Sequence, residues 1–336
     1  MDPLSQAVVG VVFSMSASKR ATMRLAAFCG VVGGMAPDLD IIIRSNSDTL
    51  LALEYHRQFT HALISIPFVG LVVCLALWAI FSRKKADFKL YYIFTTVGVA
   101  THGLLDACTA YGTYLYWPFS FERVAWSNLS IIDPLFTIPL LVFVITATVL
   151  RSRKLSIFSV IYAFTYISFT FYNQNIVSAH VHKVAHDRGH KIERLFLNPT
   201  LGNSVLWRSI YRYNGRHYID AIHSLPHYNI KLISGTDVPI IEGAFVYPEI
   251  GQDNQARNDI LRFEKFTSKF LYVVEGAEYT LGDLRYSSTP DSTEPLWSFN
   301  INPNQLEAYG KFQHNRANRN SSLKKLKHML FEIKLD

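Results

Sequence analysis

Apolar residues crowd into the first half of the chain, in runs divided by short polar stretches. Ala62–Ser82 carries no charge, and as a helix rising about 1.5 Å per residue it reaches roughly 30 Å, one bilayer core. Leu90–Cys108 is a second such run, interrupted near its end by His102 and Asp106. Ile131–Leu150 is a third, with Asp133 at its start, and Leu155–Tyr172 a fourth, uncharged and rich in aromatics. Two earlier runs, Ala7–Ala17 and Leu25–Ala36, are short for a span. They predict a shortened helical pair, tolerated where protein surrounds it.

From about Ile192 the pattern changes. Val205–Arg212, Gly215–Ile222, Phe270–Val274 and Leu296–Ile301 are short β-branched and aromatic stretches set apart by turn residues. Asn214-Gly215 between two of them signals a hairpin, and Leu323–Ile333 returns to helical spacing. The expected fold is therefore mainly α. Residues 1–180 form a polytopic α-helical membrane domain with four full spans plus the short N-terminal helical pair. Residues 191–336 form a C-terminal α+β extramembrane domain with no catalytic constellation of its own.

Composition agrees: 49% of residues are hydrophobic and 18% charged, against roughly 25% charged in an average soluble domain. The net charge of +7 would suit nucleic acid, but much of the basic excess lies in short loops beside apolar runs. Arg83, Lys84, Lys85 and Lys89 form one such group, and Arg151, Arg153 and Lys154 another. Positive charge in such loops marks the cytoplasmic side. Residues 37–61, 109–130 and everything after Tyr172 then face outward. No nucleic-acid motif is present, so none is expected as a partner. Cys29, Cys74 and Cys108 lack CxxC spacing and read as small buried hydrophobes. Met1-Asp2-Pro3 has no basic n-region, so insertion through the chain's own spans is expected rather than a cleaved signal peptide.

That topology gathers Asp38, Asp40, His56, His61, His102 and Asp106 at one face of the bilayer. His102 and Asp106, four apart, share a helix face. Imidazole and carboxylate suit zinc, with manganese or iron as alternatives. A capped helix end would explain that pair alone, but ionisable residues inside apolar segments favour function. Asp38 and Asp40 alternate in an extended stretch and point to one side, or else form a hydrophilic turn. His56 and His61 converge if a helix begins between them. Arg57 is placed to neutralise a phosphate or a developing oxyanion. Tyr111 and Thr113 offer hydroxyls to substrate, whereas Tyr114, Tyr116 and Trp117 read as an aromatic belt. His180, His182, His186 and His190 include one metal-compatible i,i+4 pair but read as a solvated juxtamembrane helix.

The motifs resemble a bacterial inner-membrane family, the YdjM-like membrane-bound metal-dependent hydrolases. The matching pieces run in order from Met1-Asp2-Pro3-Leu4-Ser5-Gln6 through Gly34-Met35-Ala36-Pro37-Asp38-Leu39-Asp40 and His56-Arg57-Gln58-Phe59-Thr60-His61. They continue with Thr101-His102-Gly103-Leu104-Leu105-Asp106, Tyr111-Gly112-Thr113, Trp117-Pro118-Phe119 and Ile132-Asp133-Pro134. Asn198-Pro199-Thr200 and Gly282-Asp283-Leu284-Arg285-Tyr286 look like the C-terminal extension of longer members. The resemblance implies a metal-dependent hydrolase remotely similar to zinc phospholipase C and P1-type nucleases. It assigns the metal to Asp38, Asp40, His56, His61, His102 and Asp106. Some members carry His where this chain has Gln6.

The expectation is thus a hydrolase of the bacterial inner membrane using one or two divalent metals, Zn2+ before Mn2+ or Fe2+. Asp38 or Asp40 would act as general base, and Arg57 would steady the phosphate of a lipid or lipid-linked phosphoester. The rivals are non-enzymatic: a metal or proton transporter, or a scaffold with a structural metal. A transporter would place its ionisable residues near the midplane, whereas these cluster at one edge.

Overall fold

A computed structural model describes residues 1–82, 84–225, 230–315 and 319–331. Arg83, the side chain of Lys85 and the end of the Leu323–Ile333 stretch lie outside the described residues. Helix α1, Pro3–Ser16, begins with proline in its first turn and with the Asp2 carboxylate accepting from Ser5 N, which satisfies a free helix-end donor. Helix α2, Met23–Met35, runs straight into a 3-10 turn over Ala36–Ile42. Next come the short α3, Leu51–Tyr55, then α4, Ile66–Phe81, and α5, Lys85–Ala107. Helix α6, Pro134–Leu150, is capped by Asp133, and α7, Arg153–Asp187, runs for 35 residues.

Glycine sets the spacing of the first helices. A methyl group on Gly10 of α1 would stand 2.4 Å from the Gly30 carbonyl oxygen of α2, and one on Gly33 would stand 2.4 Å from the Thr95 carbonyl of α5. The backbones touch, as small residues permit between apolar helices. Val8, Val12, Met15, Met23, Phe94, Phe136 and Leu140 fill the core around these contacts.

Three stretches among the described residues are long and apolar enough to cross a membrane: Arg20–Ile42, Leu63–Phe81 and Arg153–Asp187. The expectation of four full spans is corrected. Lys85–Ala107 has the length, but its Tyr, Thr, His102 and Asp106 dilute its apolar character, and it is not among the three. Pro134–Leu150 is apolar but has 17 residues. Arg20–Ile42 qualifies because the 3-10 turn extends the helix that looked short in sequence.

The mainly α class is corrected as well. Helices hold 50% of the described residues, and strands another 16%, with two four-stranded antiparallel sheets among them. The first sheet runs in the order β1 (Arg194–Pro199), β2 (Leu206–Tyr213), β3 (Arg216–His223) and β4 (Lys231–Pro239). The second is β5 (Leu271–Val273), β6 (Thr280–Asp283), β7 (Trp297–Asn300) and β8 (Lys311–His314). Asn214 and Gly215 both take positive φ, 47° and 72°, as the tight β2–β3 hairpin requires. Helices α8, Gln255–Phe266, and α9, Arg319–Phe331, complete the set.

The chain divides into two compact units. One comprises Met1–Ile42, Tyr55–Tyr172 and Leu201–Ser204; the other comprises Ile43–Glu54, Asn173–Thr200 and Val205–Asp336. Arg262 of α8 ties the early segment into the second unit. Its Nη2 lies 2.8 Å from Asp48 and its Nε 2.8 Å from Glu54. Two buried arginines organise loops of that unit. Arg208 donates to the carbonyls of Leu284, Pro290 and Ser292, and Arg257 to those of Gly243, Val246, Tyr247 and Ile250.

Candidate metal centre

Four side chains in the first unit aim single atoms at a common point. His61 Nε2 lies 2.9 Å from His102 Nε2, 3.2 Å from Asp106 Oδ2 and 3.5 Å from Asp38 Oδ1. His102 Nε2 is 3.3 Å from Asp38 Oδ1 and 3.4 Å from Asp106 Oδ2. Ligands about 2.0–2.1 Å from a tetrahedral zinc stand roughly 3.3 Å from one another, so this donor set fits such an ion. Two ring nitrogens facing each other form one ordinary hydrogen bond at best, whereas both can donate lone pairs to a cation. Asp38 Oδ1 and Asp106 Oδ2 are buried without a hydrogen bond, which a cation would satisfy.

Local folding explains how these residues meet. His102 and Asp106 are i,i+4 on the last turns of α5. The Gly34 carbonyl at the end of α2 lies 2.5 Å from His102 Nδ1, which fixes the proton there and leaves Nε2 free. Asp38 and Asp40 sit on the 3-10 turn that continues α2. His61 ends a 3-10 turn, Phe59–His61, ahead of α4, and a methyl on Gly103 would stand 2.3 Å from the His61 carbonyl oxygen. That close approach seats His61 against α5.

A second group, Asp38, Asp40 and His56, adjoins the first and shares Asp38 with it. His56 Nδ1 lies 2.7 Å from Asp40 Oδ1. Asp40 Oδ2 accepts from Arg57 N at 3.0 Å and from Thr60 Oγ1 at 2.7 Å. The His56 and Asp38 side chains remain 27% and 26% exposed, while those of His61, His102 and Asp106 have no exposure. Solvent therefore reaches the centre on the His56 side.

Arg57 is buried, with φ 64°, in the left-handed region that a non-glycine residue seldom adopts. Its carbonyl accepts from Tyr114 N and Thr113 Oγ1, which holds that turn. Arg57 Nε lies 3.1 Å from Asp106 Oδ2 at ion-pair distance, and Nη1 donates to Thr109 Oγ1 at 3.2 Å. Burial works against a charged His61. The carboxylates of Asp106, Asp38 and Asp40 outweigh it and push its pKa up to about 9, a measure of the negative charge concentrated there.

Each residue singled out in the sequence therefore has a place. The six histidines and aspartates fall into the two adjoining groups. Arg57 braces Asp106, and the Tyr111 ring packs 4.7 Å from its guanidinium. Thr113 uses its hydroxyl on the Arg57 carbonyl. Gln6 donates its amide to Asp106 Oδ1 at 2.9 Å, as an N–H group that supports a ligand rather than being one. The Met1 amino group meets the same carboxylate oxygen.

Sequence reasoning did not pick out Thr60, Thr109 or Arg123. Arg123 lies over the rings of Tyr111 and Tyr114 and donates to the His56 carbonyl. Only the proximity of these residues to the motifs could have marked them. The later histidines serve elsewhere: His182 bonds the Ser178 carbonyl, and His190 stacks on Tyr213 with ring centroids 4.4 Å apart.

Comparison with known proteins adds the family. Residues 1–177 match the family described as YdjM inner membrane protein. The chain belongs to that family. All six candidate ligands of this YdjM protein lie inside the matched region. The inner membrane protein YbcI of Escherichia coli strain K12 is 32% identical over 98 residues, which cover 29% of this chain and 55% of YbcI. The match thus spans little more than half the length of that relative. No solved structure matches. Family and relative are both inner membrane proteins, in keeping with the three apolar stretches.

Proposed function

We propose that this YdjM protein is a metal-dependent hydrolase of a phosphoester or lipid-linked substrate, working at the outer face of the inner membrane. The observation that carries the reading is a set of four donor atoms within 4.8 Å of one another, with each histidine nitrogen 2.9–3.5 Å from the other three, and two of the four are buried carboxylate oxygens without a hydrogen bond. A divalent cation held there, zinc or else manganese or iron, would polarise a phosphoryl oxygen and lower the pKa of water to about 7.

The chain's own groups do the positioning. The Gly34 carbonyl sets the tautomer of His102, Arg57 and Gln6 hold Asp106, and Thr60 and the Arg57 amide hold Asp40. Asp38, which is part-exposed, and the buried Asp40 are the proposed proton acceptors. Arg57 adds positive charge for a phosphate, held in place by the Tyr111 ring on its guanidinium and the Thr113 hydroxyl on its carbonyl. The C-terminal unit is assigned to the periplasm on the strength of the basic residues Lys84, Lys89, Arg151, Arg153 and Lys154 in the α4–α5 and α6–α7 connections and the first turns that follow them.

One observation favours a second reading, a structural metal in a scaffold: four protein ligands close a tetrahedron and leave no exchangeable position. The two readings separate in assays of the purified full chain in detergent. Phosphodiester and phospholipid panels are tested with Zn2+, Mn2+ or Fe2+ added. The hydrolase reading expects chelator-sensitive cleavage, reduced at least about 100-fold in Asp38→Asn and His102→Ala. Metal-loaded protein that cleaves none of the panel would favour the scaffold.

A further inference from the structure

The exposure of the candidate ligands is uneven: the His56 and Asp38 side chains are part-exposed, whereas Asp40 is as buried as His61, His102 and Asp106. The inner group supplies four donors, the number that fills a tetrahedral ion, and His61, His102 and Asp106 have no exposed side-chain surface. A cation there has no place for a substrate atom unless a ligand leaves. The outer group supplies three donors, from Asp38, Asp40 and His56, and its His56 side chain is 27% exposed. Three protein ligands with an open fourth position is the pattern of an exchangeable ion.

Asp38 is common to both groups, and a carboxylate with two oxygens can reach two cations. Cations bridged in this way stand about 3.5–4 Å apart. Asp40 is aimed as an outer ligand would be. Its Oδ2 is fixed by Thr60 and the Arg57 amide, which turns Oδ1 toward His56.

We propose that the centre has two cation positions joined by Asp38, a closed inner one that holds the fold of the site and an open outer one that meets substrate. This rests on the metal reading of the centre but not on hydrolysis. It also resolves the conflict between a closed tetrahedron and an enzyme, because closure belongs to one position and reactivity to the other.

The test counts ions rather than turnover. The full chain, purified in detergent and stripped with chelator, is titrated with Mn2+ while metal content and electron paramagnetic resonance are recorded. Two equivalents are expected, the first bound more tightly, with the spectrum of an exchange-coupled pair at saturation. His56→Ala should retain the tight equivalent, lose the second and show an isolated Mn2+ signal. His102→Ala should weaken the tight equivalent by roughly 100-fold. If that variant does not fold, His56→Ala alone still decides.

A single equivalent in the wild type would overturn the proposal, leaving His56 and Asp40 as an ordinary hydrogen-bonded pair. Two uncoupled ions, or two equivalents in His56→Ala, would overturn it as well. Two coupled ions in a protein that cleaves no phosphoester would uphold this inference and sink the enzyme reading.

Discussion

His217 stands opposite Arg212 in the β2–β3 ladder, and Arg212 stands opposite Arg194 in the β1–β2 ladder. The imidazole is fully buried beside the Phe270 ring, with no hydrogen bond to either nitrogen. Burial first, and then the Arg212 and Arg194 charges, drive its pKa down to about 3. The unfolded chain takes up the proton near pH 6.5, so this site costs nothing above that pH. Below it, stability falls by about 1.4 kcal/mol per pH unit until the folded pKa is reached. Between pH 7 and pH 5 the wild type should therefore lose about 2 kcal/mol that a His217→Leu variant keeps. Thermal unfolding of both full chains in detergent at the two pH values measures this, and parallel losses would refute it. In sequence His217 looks like any polar strand residue, because its burial comes from strand register. The metal candidates were legible for the opposite reason. Asp and His at the edges of apolar runs are costly and therefore conspicuous, whereas Thr60, Thr109 and Arg123 carry no such mark.

Among the elements, the packing of α1 on α2 depends on atoms that are absent. Gly10 faces Gly30 so closely that an added methyl would sit 2.4 Å from a carbonyl oxygen, with the Gly34 Cα at 3.0 Å. Gly10→Ala should force the two helices apart and cost about 1–3 kcal/mol, read as a lowered thermal midpoint in detergent. The same shift would carry Gln6, one turn earlier on α1, away from Asp106, so metal affinity should drop as well. A variant with wild-type melting and affinity would show that these helices do not need their close approach. Long apolar runs, the Asn214-Gly215 hairpin and the strands around Trp207 and Phe299 could be read from periodicity and turn chemistry. Other elements could not, among them β1, β6, β8 and α8, which sequence reasoning passed over. The segment Ala36–Ile42 lengthens the apolar stretch because its 3-10 turn follows α2 without a break. Strand β4 is broken by Gly235 and Asp237 and bulged near Ile219 and Asp220 of β3, so it lacks clean alternation. Arg208 and Arg257 put charge in the interior, where propensity rules expect none, because clustered loop carbonyls satisfy them.

For the whole molecule, one compact unit contains both Ile43–Glu54 and the chain after Val205, with Arg262 bonded to Asp48 and Glu54. A salt-bridged unit cannot straddle a bilayer, so both pieces must lie on the same side, and the chain between them must cross an even number of times. Leu63–Phe81 and Arg153–Asp187 supply two crossings, and α5 and α6 then cross together or not at all. This constraint owes nothing to charge, yet it agrees with the basic residues: Lys84, Lys89 and Arg151 fall between those two stretches, and Arg153 and Lys154 open the second at its end on that opposite side. On the orientation proposed above, that side is the cytoplasm. Ser47→Cys and Asp253→Cys, both at exposed positions, should therefore react with a membrane-impermeant maleimide in spheroplasts, whereas Lys84→Cys should react only after lysis. The native Cys29, Cys74 and Cys108 are buried and should stay silent. Labelling of Lys84→Cys but not the other two would invert the orientation and move the metal centre to the cytoplasmic face. If Ser47→Cys and Asp253→Cys were to label from opposite sides, the Arg262 bridge and the even count of crossings would both be wrong.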